Sequence, residues 1–196
     1  SKDEQLKRFL DIVKYAEKNQ VFVWISCVLP VDRQLEMNAY QLARNNGHSN
    51  VGITLATYHS DVLQRIKKVL DMDGHIRLVK GYYYGNLSSN WDIVTDNFIK
   101  GMHLLVKNNK YHCIATHDFN ILSEYQELKG KDNLEVSFFY KAKDFVLYEI
   151  DRRRMKFKQK SFYIPAGPLV PYLSTNFYGL DKKRILMREL NGLLIK

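Results

Sequence analysis

Two cysteines in 196 residues are too few for a disulfide-stapled scaffold. Cys27 and Cys113 lie far apart, without metal-type spacing and in apolar, strand-like surroundings. They read as reduced core thiols rather than a bridge. No run of about 18 apolar residues occurs, which excludes a helical membrane span. Neither a secretory signal nor an Arg/Ser-rich transit segment stands out at the N terminus. Low-complexity tracts are missing, and so is any linker strong enough to divide the chain, so residues 1–196 are expected to form a single domain. Gly85-Asn-Leu-Ser-Ser89 is a plain loop, not a phosphate-binding glycine motif. Acid is also in short supply: 21 Asp and Glu against 30 Lys and Arg leave a net charge of +9. A small-molecule enzyme does not need that excess, whereas nucleic acid, an acidic membrane surface or an acidic protein partner would use it.

What remains is ample material for a core, with 45% hydrophobic residues arranged in alternating patterns. β-Branched apolar runs at Val21–Ser26, Val51–Thr57, His75–Lys80, Tyr111–Thr116, Leu134–Tyr140 and Lys160–Pro165 predict strands. Between them, helical stripes run through Leu6, Phe9, Leu10 and Val13, then Leu35, Ala39, Leu42 and Ala43. Two more follow at Val62, Ile66, Val69 and Leu70, and at Phe98, Met102, Leu105 and Val106. Further helices are expected over Asn120–Lys129, Lys143–Arg154 and Lys182–Leu194. Gly47, Gly74 and Gly130 each follow a helical segment, where a left-handed C-terminal residue favours glycine. Strand starts about 23 to 36 residues apart fit parallel strands joined by helical crossovers, giving about six βα units.

The segment His75-Ile-Arg-Leu-Val-Lys-Gly-Tyr-Tyr83 reads as a strand carrying Arg77 and Lys80 with two-residue periodicity before Gly81 and a tyrosine cluster. It resembles the Arg-Leu-Val-Lys-Gly-Ala-Tyr signature of proline dehydrogenases, FAD-dependent (β/α)8-barrel enzymes. Three other segments, in the same order, are similar to that family. Val51-Gly-Ile-Thr-Leu-Ala-Thr-Tyr58 resembles its strand ending near Leu-Gln-Ala-Tyr, and Ala115-Thr-His-Asp118 resembles Ala-Thr-His-Asn. Tyr163-Ile-Pro-Ala-Gly-Pro168 with Pro171-Tyr-Leu173 resembles Tyr-Val-Pro-Tyr-Gly-Pro and Pro-Tyr-Leu. The resemblance implies that Arg77, Lys80, Thr116 and His117 stand at ancestral flavin positions, and Tyr83, Tyr163 and Tyr172 at ancestral substrate-pocket positions.

The departures from that pattern point the other way. Thr175 and Asn176 occupy the places of the arginine pair that clamps the proline carboxylate in the family. Short neutral side chains cannot reproduce a bidentate guanidinium–carboxylate pair. The family's flavin-reaching glutamine maps to Ala56, and its first acidic strand end to Ser26 or Cys27. The resemblance starts at the third of eight strands, so the expected fold is an incomplete or remodelled TIM-like (β/α) barrel. An open sheet leaves edges that must be covered, paired or protected.

Each candidate has a plain reading beside the functional one. Arg77 and Lys80 either meet an anion or cofactor, or are inherited charges satisfied by carboxylates or solvent. His117, without metal-type neighbours, is read first as making a structural hydrogen bond. Tyr82, Tyr83 and Tyr84 either stack on a planar ring or fill an emptied pocket. Arg152, Arg153, Arg154, Lys156, Lys158 and Lys160 place six cations in nine residues, either a phosphate-binding surface or a solvated helix end.

The expectation is a catalytically inactive proline-dehydrogenase-like domain with no catalytic residue, no metal and no bound cofactor. It would act as a structural or binding component of a larger assembly, mitochondrial or cytoplasmic. Its partner would be another macromolecule, protein or nucleic acid, met through the basic face or an open sheet edge. The alternative is an active enzyme that binds FAD and oxidises proline or a related amine.

Overall fold

A computed structural model describes residues 2–26, 33–80, 90–124 and 131–163. Six strands alternate with helices: α1 Lys2–Lys18, β1 Val23–Ile25, α2 Arg33–Asn45, β2 Val51–Ala56, α3 Val62–Asp71, β3 His75–Val79 and α4 Trp91–Lys107. Then come β4 His112–Ala115, α5 Phe119–Glu124, β5 Leu134–Phe139, α6 Lys143–Arg152 and β6 Gln159–Tyr163. The strands form one parallel sheet in sequence order, the arrangement of an incomplete TIM-like α/β barrel. The chain groups into two compact units, Ser1–His112 and Cys113–Lys196. No helix of the described residues is long and apolar enough to cross a membrane.

In the first unit, β2 is buried along its whole length while β3 alternates half-buried with buried. Ile53, Leu55, Ile76 and Leu78 form the core with Val62, Ile66 and Val69 of α3 and Phe98, Met102 and Leu105 of α4. The α4 stripe is buried as its spacing predicts. The α2 stripe is shifted: Glu36, Met37, Ala39, Tyr40 and Ala43 are buried, whereas Leu35 and Leu42 are half-buried. Tyr40 explains the shift, because its hydroxyl accepts the His75 N–H at 3.2 Å and draws that face inward.

Gly47 has the expected left-handed backbone, at φ +84°. Gly74 does not, because Asp73 takes the left-handed turn at φ +55°. Glycine is needed at 74 for space instead: a Cβ there would run into the Tyr40 hydroxyl and come within 2.8 Å of Val69. Gly52 is similar, since its partner in register, Trp24, lays its indole where a Cβ would stand. Trp24 belongs to a ring cluster at the N-terminal ends of the strands. Phe22 lies 4.8 Å from Trp24, 5.2 Å from His75 and 5.3 Å from Tyr111.

The second unit has an aromatic core. Phe138 of β5 sits 6.1 Å from Phe119 and 5.9 Å from Phe162, and Phe145 meets Phe119 edge-on at 6.1 Å. Cys113 is a buried free thiol, as expected, and donates to Glu135 at 3.8 Å. Glu135 and Ser137 of β5 are joined to Ser161 of β6 by hydroxyl hydrogen bonds.

Candidate functional site at the strand ends

In (β/α) barrels, ligand chemistry is built at the C-terminal ends of the strands, so each unit is described there. In the first unit Thr57, just past β2, ties the neighbouring elements together. Its Oγ1 donates to the carbonyls of Val94 at 3.1 Å and Lys80 at 3.3 Å, and its N–H donates to Val79 at 2.9 Å. This fixes the end of β3, and with it Arg77 and Lys80.

Those two cations do not share a face. Three residues apart, they fall on opposite sides of an extended chain, which corrects the two-residue periodicity expected from the sequence. Arg77 lies on the half-buried side with His75 and Val79, opposite Thr54 in register. Lys80 continues the side of Ile76 and Leu78, the side on which Leu78 meets Gly101 of α4. Only 4% of Lys80 is exposed, and its Nζ lies 3.5 Å from Thr95 Oγ1 and 5.5 Å from the Trp91 ring centre. The aromatic face and hydroxyl stabilise the buried ammonium.

Ala56 is packed with Tyr58 and Val94. The adjacent His59 was not singled out by the sequence, because no motif surrounds it. It is 1% exposed, its ring stands 4.0 Å from that of Tyr58, and neither ring nitrogen has a hydrogen-bond partner. Burial first, then the positive charge of Arg33, pushes its pKa down to about 4. The ring is therefore neutral at pH 7, which lessens the penalty of enclosing it.

In the second unit, Thr116 Oγ1 accepts the Asp118 N–H at 3.1 Å. Asp118 Oδ1 in turn accepts the N–H groups of Asn120 and Ile121 at 3.2 Å, opening α5. His117 is 6% exposed and stacks on Phe139 at 5.2 Å with 6° between the ring planes. Its Nε2 accepts the Phe139 backbone N–H at 3.1 Å, which puts the proton of the neutral ring on Nδ1. Burial pushes its pKa down to about 4. Tyr163 is half-buried, its ring 4.7 Å from Phe139.

The basic run is divided by its partners. Glu149, with its side chain 6% exposed, receives Arg152 Nη2 at 2.7 Å and Arg153 Nε at 2.9 Å. These guanidinium groups hold its carboxyl below the usual range. Arg153 also reaches Asn120 Oδ1 and Ser123 Oγ at 3.1 and 3.2 Å. Lys158 pairs with Asp132 at 2.7 Å. Arg154, Lys156 and Lys160 are exposed, and among the described residues no ion pair to a carboxylate is seen for them.

Tyr82, Tyr83, Tyr84, Tyr172, Thr175, Asn176, Cys27, Gly130 and the expected helix at Lys182–Leu194 lie outside the described residues. Among the described residues, no three His, Cys, Asp or Glu side chains are grouped to hold a metal ion.

No family model and no curated protein matches the chain. Solved structures do. Proline utilization A (PutA) from Bdellovibrio bacteriovorus, inactivated by N-propargylglycine, is similar over 97% of this chain, with a TM-score of 0.72 and 18% identity. The D779W mutant of PutA from Bradyrhizobium japonicum also aligns over 97% of the chain, with a TM-score of 0.72 and 16% identity. The chain has a proline-dehydrogenase-like fold and spans 22% of the length of either PutA chain.

Proposed function

We propose that this chain is a catalytically inert proline-dehydrogenase-like domain that serves as a structural or binding component of a larger assembly. The observation that carries this reading is His117. Its Nε2 lone pair is occupied by the Phe139 N–H, and its ring is held flat against Phe139. A histidine engaged in this way has no free basic nitrogen to take up a proton.

Three more residues at ancestral flavin positions, Lys80, Thr116 and Ala56, support the same reading. Lys80 turns its ammonium toward Trp91 and Thr95, Thr116 Oγ1 is engaged by the Asp118 N–H, and Ala56 offers no donor. The replacement of the carboxylate clamp by Thr175 and Asn176 adds to this from sequence alone. The net charge of +9 and the end strands β1 and β6 are the features a macromolecular partner would use. A mitochondrial setting follows from the resemblance, with the cytoplasm as the alternative.

One observation favours retained FAD-dependent oxidation of proline or a related amine: Arg77 keeps a half-buried place beside Thr54, whose buried Oγ1 has no hydrogen-bond partner. The visible spectrum separates the two readings. The inert reading expects a colourless protein that gains no flavin band with added FAD and does not reduce an electron-accepting dye with proline. A yellow protein, or proline-dependent dye reduction, overturns it.

A further inference from the structure

The loop from β2 to α3 holds a cluster that neither reading of the function uses. We infer that this junction is a binding site for a phosphate group, formed by the first turn of α3, the guanidinium groups of Arg33 and Arg65, and the buried ring of His59. The inference goes beyond the function proposed above and does not depend on it.

The local chain leaves the start of α3 open. Asp61 stands at the N-cap position, where a carboxylate ordinarily accepts N–H groups of the first turn, yet its side chain makes no capping bond. It pairs instead with Arg33, the first residue of α2, whose Nη1 donates to Asp61 Oδ1 at 2.7 Å. The Val62 N–H donates to the His59 carbonyl at 3.2 Å and the Arg65 N–H to the Asp61 carbonyl at 3.0 Å. Between those two, Leu63 and Gln64 belong to the first turn, whose N–H groups have no intrahelical carbonyl to meet. Such donors, aligned with the helix dipole, favour an anion.

His59 is a second, independent feature of the same turn. Its ring is buried, and among the described residues neither Nδ1 nor Nε2 has a hydrogen-bond partner. A neutral imidazole always carries one N–H, and enclosing that donor unmet is costly, so the ring is placed for an acceptor. The charged groups that act on it are Arg33, Asp61 and Arg65, two cations against one carboxylate. Arg65 is tied to the start of α2, because its Nη2 donates to the Arg33 carbonyl at 3.1 Å. The Arg33–Asp61 pair reaches solvent, with side chains 28% and 42% exposed, so an ion can enter past it. Backbone, imidazole and guanidinium donors on separate elements suit a tetrahedral oxyanion better than a planar carboxylate. Asp61 competes with that anion for Arg33.

The test titrates inorganic phosphate into the full chain in chloride buffer and follows backbone amide shifts by NMR. The Leu63 and Gln64 amides should shift saturably at millimolar phosphate. His59→Leu and Arg65→Gln should each weaken binding about tenfold, the worth of one charge-assisted hydrogen bond. Arg65→Gln carries the test by itself if His59→Leu does not fold. Asp61→Asn should tighten binding about threefold, because the competing carboxylate is gone. Lys68→Gln, which removes an exposed charge from the same helix, should change it by less than about twofold. Methyl phosphate titrated in parallel separates the sources: equal affinity assigns the free ion, and tighter binding assigns an esterified phosphate. No saturable shift up to about 50 mM phosphate overturns the site. So does a loss in Lys68→Gln equal to that in Arg65→Gln, or an affinity that Asp61→Asn does not raise. None of these outcomes touches the inert reading, which fails only through flavin binding or proline oxidation.

Discussion

The Phe139 backbone N–H donates to His117 Nε2 at 3.1 Å, and the two rings lie 5.2 Å apart and nearly parallel. One contact thus joins the loop after β4 to the end of β5 and uses the histidine as structure.

A substitution should show this as lost stability. His117→Ala removes the acceptor and the stacked ring together and should cost about 2 kcal/mol in urea unfolding. His117→Gln, whose carbonyl can reach the same N–H, should recover about half. Equal stability of the three proteins would remove the structural role.

Acid should weaken the fold in two stages. His59, His112 and His117 each have a pKa pushed down to about 4 in the folded chain, chiefly by burial, against an ordinary 6.5. The unfolded chain therefore binds more protons between these values. The stability linked to neutral histidine is fully present above pH 6.5 and is lost as pH falls toward 4. For His117 alone the loss is on the order of 3 kcal/mol. Urea midpoints measured from pH 7.5 to 4 should fall steadily, and a flat profile would contradict the shifts.

Glu149 defines the second stage. Its carboxyl is held low first by Arg152, so its contribution is present above 4.5 and lost as pH drops further. Glu149→Gln should cost about 2 kcal/mol at pH 7, because two guanidinium groups lose their shared carboxylate. The variant should also lack the steep acid limb below pH 4.5. An unchanged limb would mean that other carboxylates set it.

Gly52 and Trp24 should behave as a coupled pair. Gly52→Ala drives a methyl into the indole and should destabilise by about 2 kcal/mol. Adding Trp24→Leu to it should restore part of that loss, a non-additivity that a double-mutant cycle measures. Strict additivity would show that the indole moves aside without cost.

Most strands were legible because β-branched runs, helical stripes and loop spacing agreed. Each described strand starts within two residues of its expected place. The shared face assigned to Arg77 and Lys80 failed on parity, since three residues place side chains on opposite sides of a strand. The α2 stripe was misplaced because Tyr40 enters the core by bonding the His75 N–H, a tertiary partner that helical periodicity does not reveal. The pairing of Arg152 and Arg153 with Glu149 was readable from their spacing of three and four residues after it. The Trp24–Gly52 contact was not, because it depends on strand register.

The rings of Phe22, Trp24, His75 and Tyr111 act as a keystone at the entry ends of the strands, opposite the ends where barrel enzymes react. That ring cluster anchors the first unit from the end away from the one where barrel ligands bind. Changes made at the opposite strand ends would therefore leave this anchor of the sheet in place.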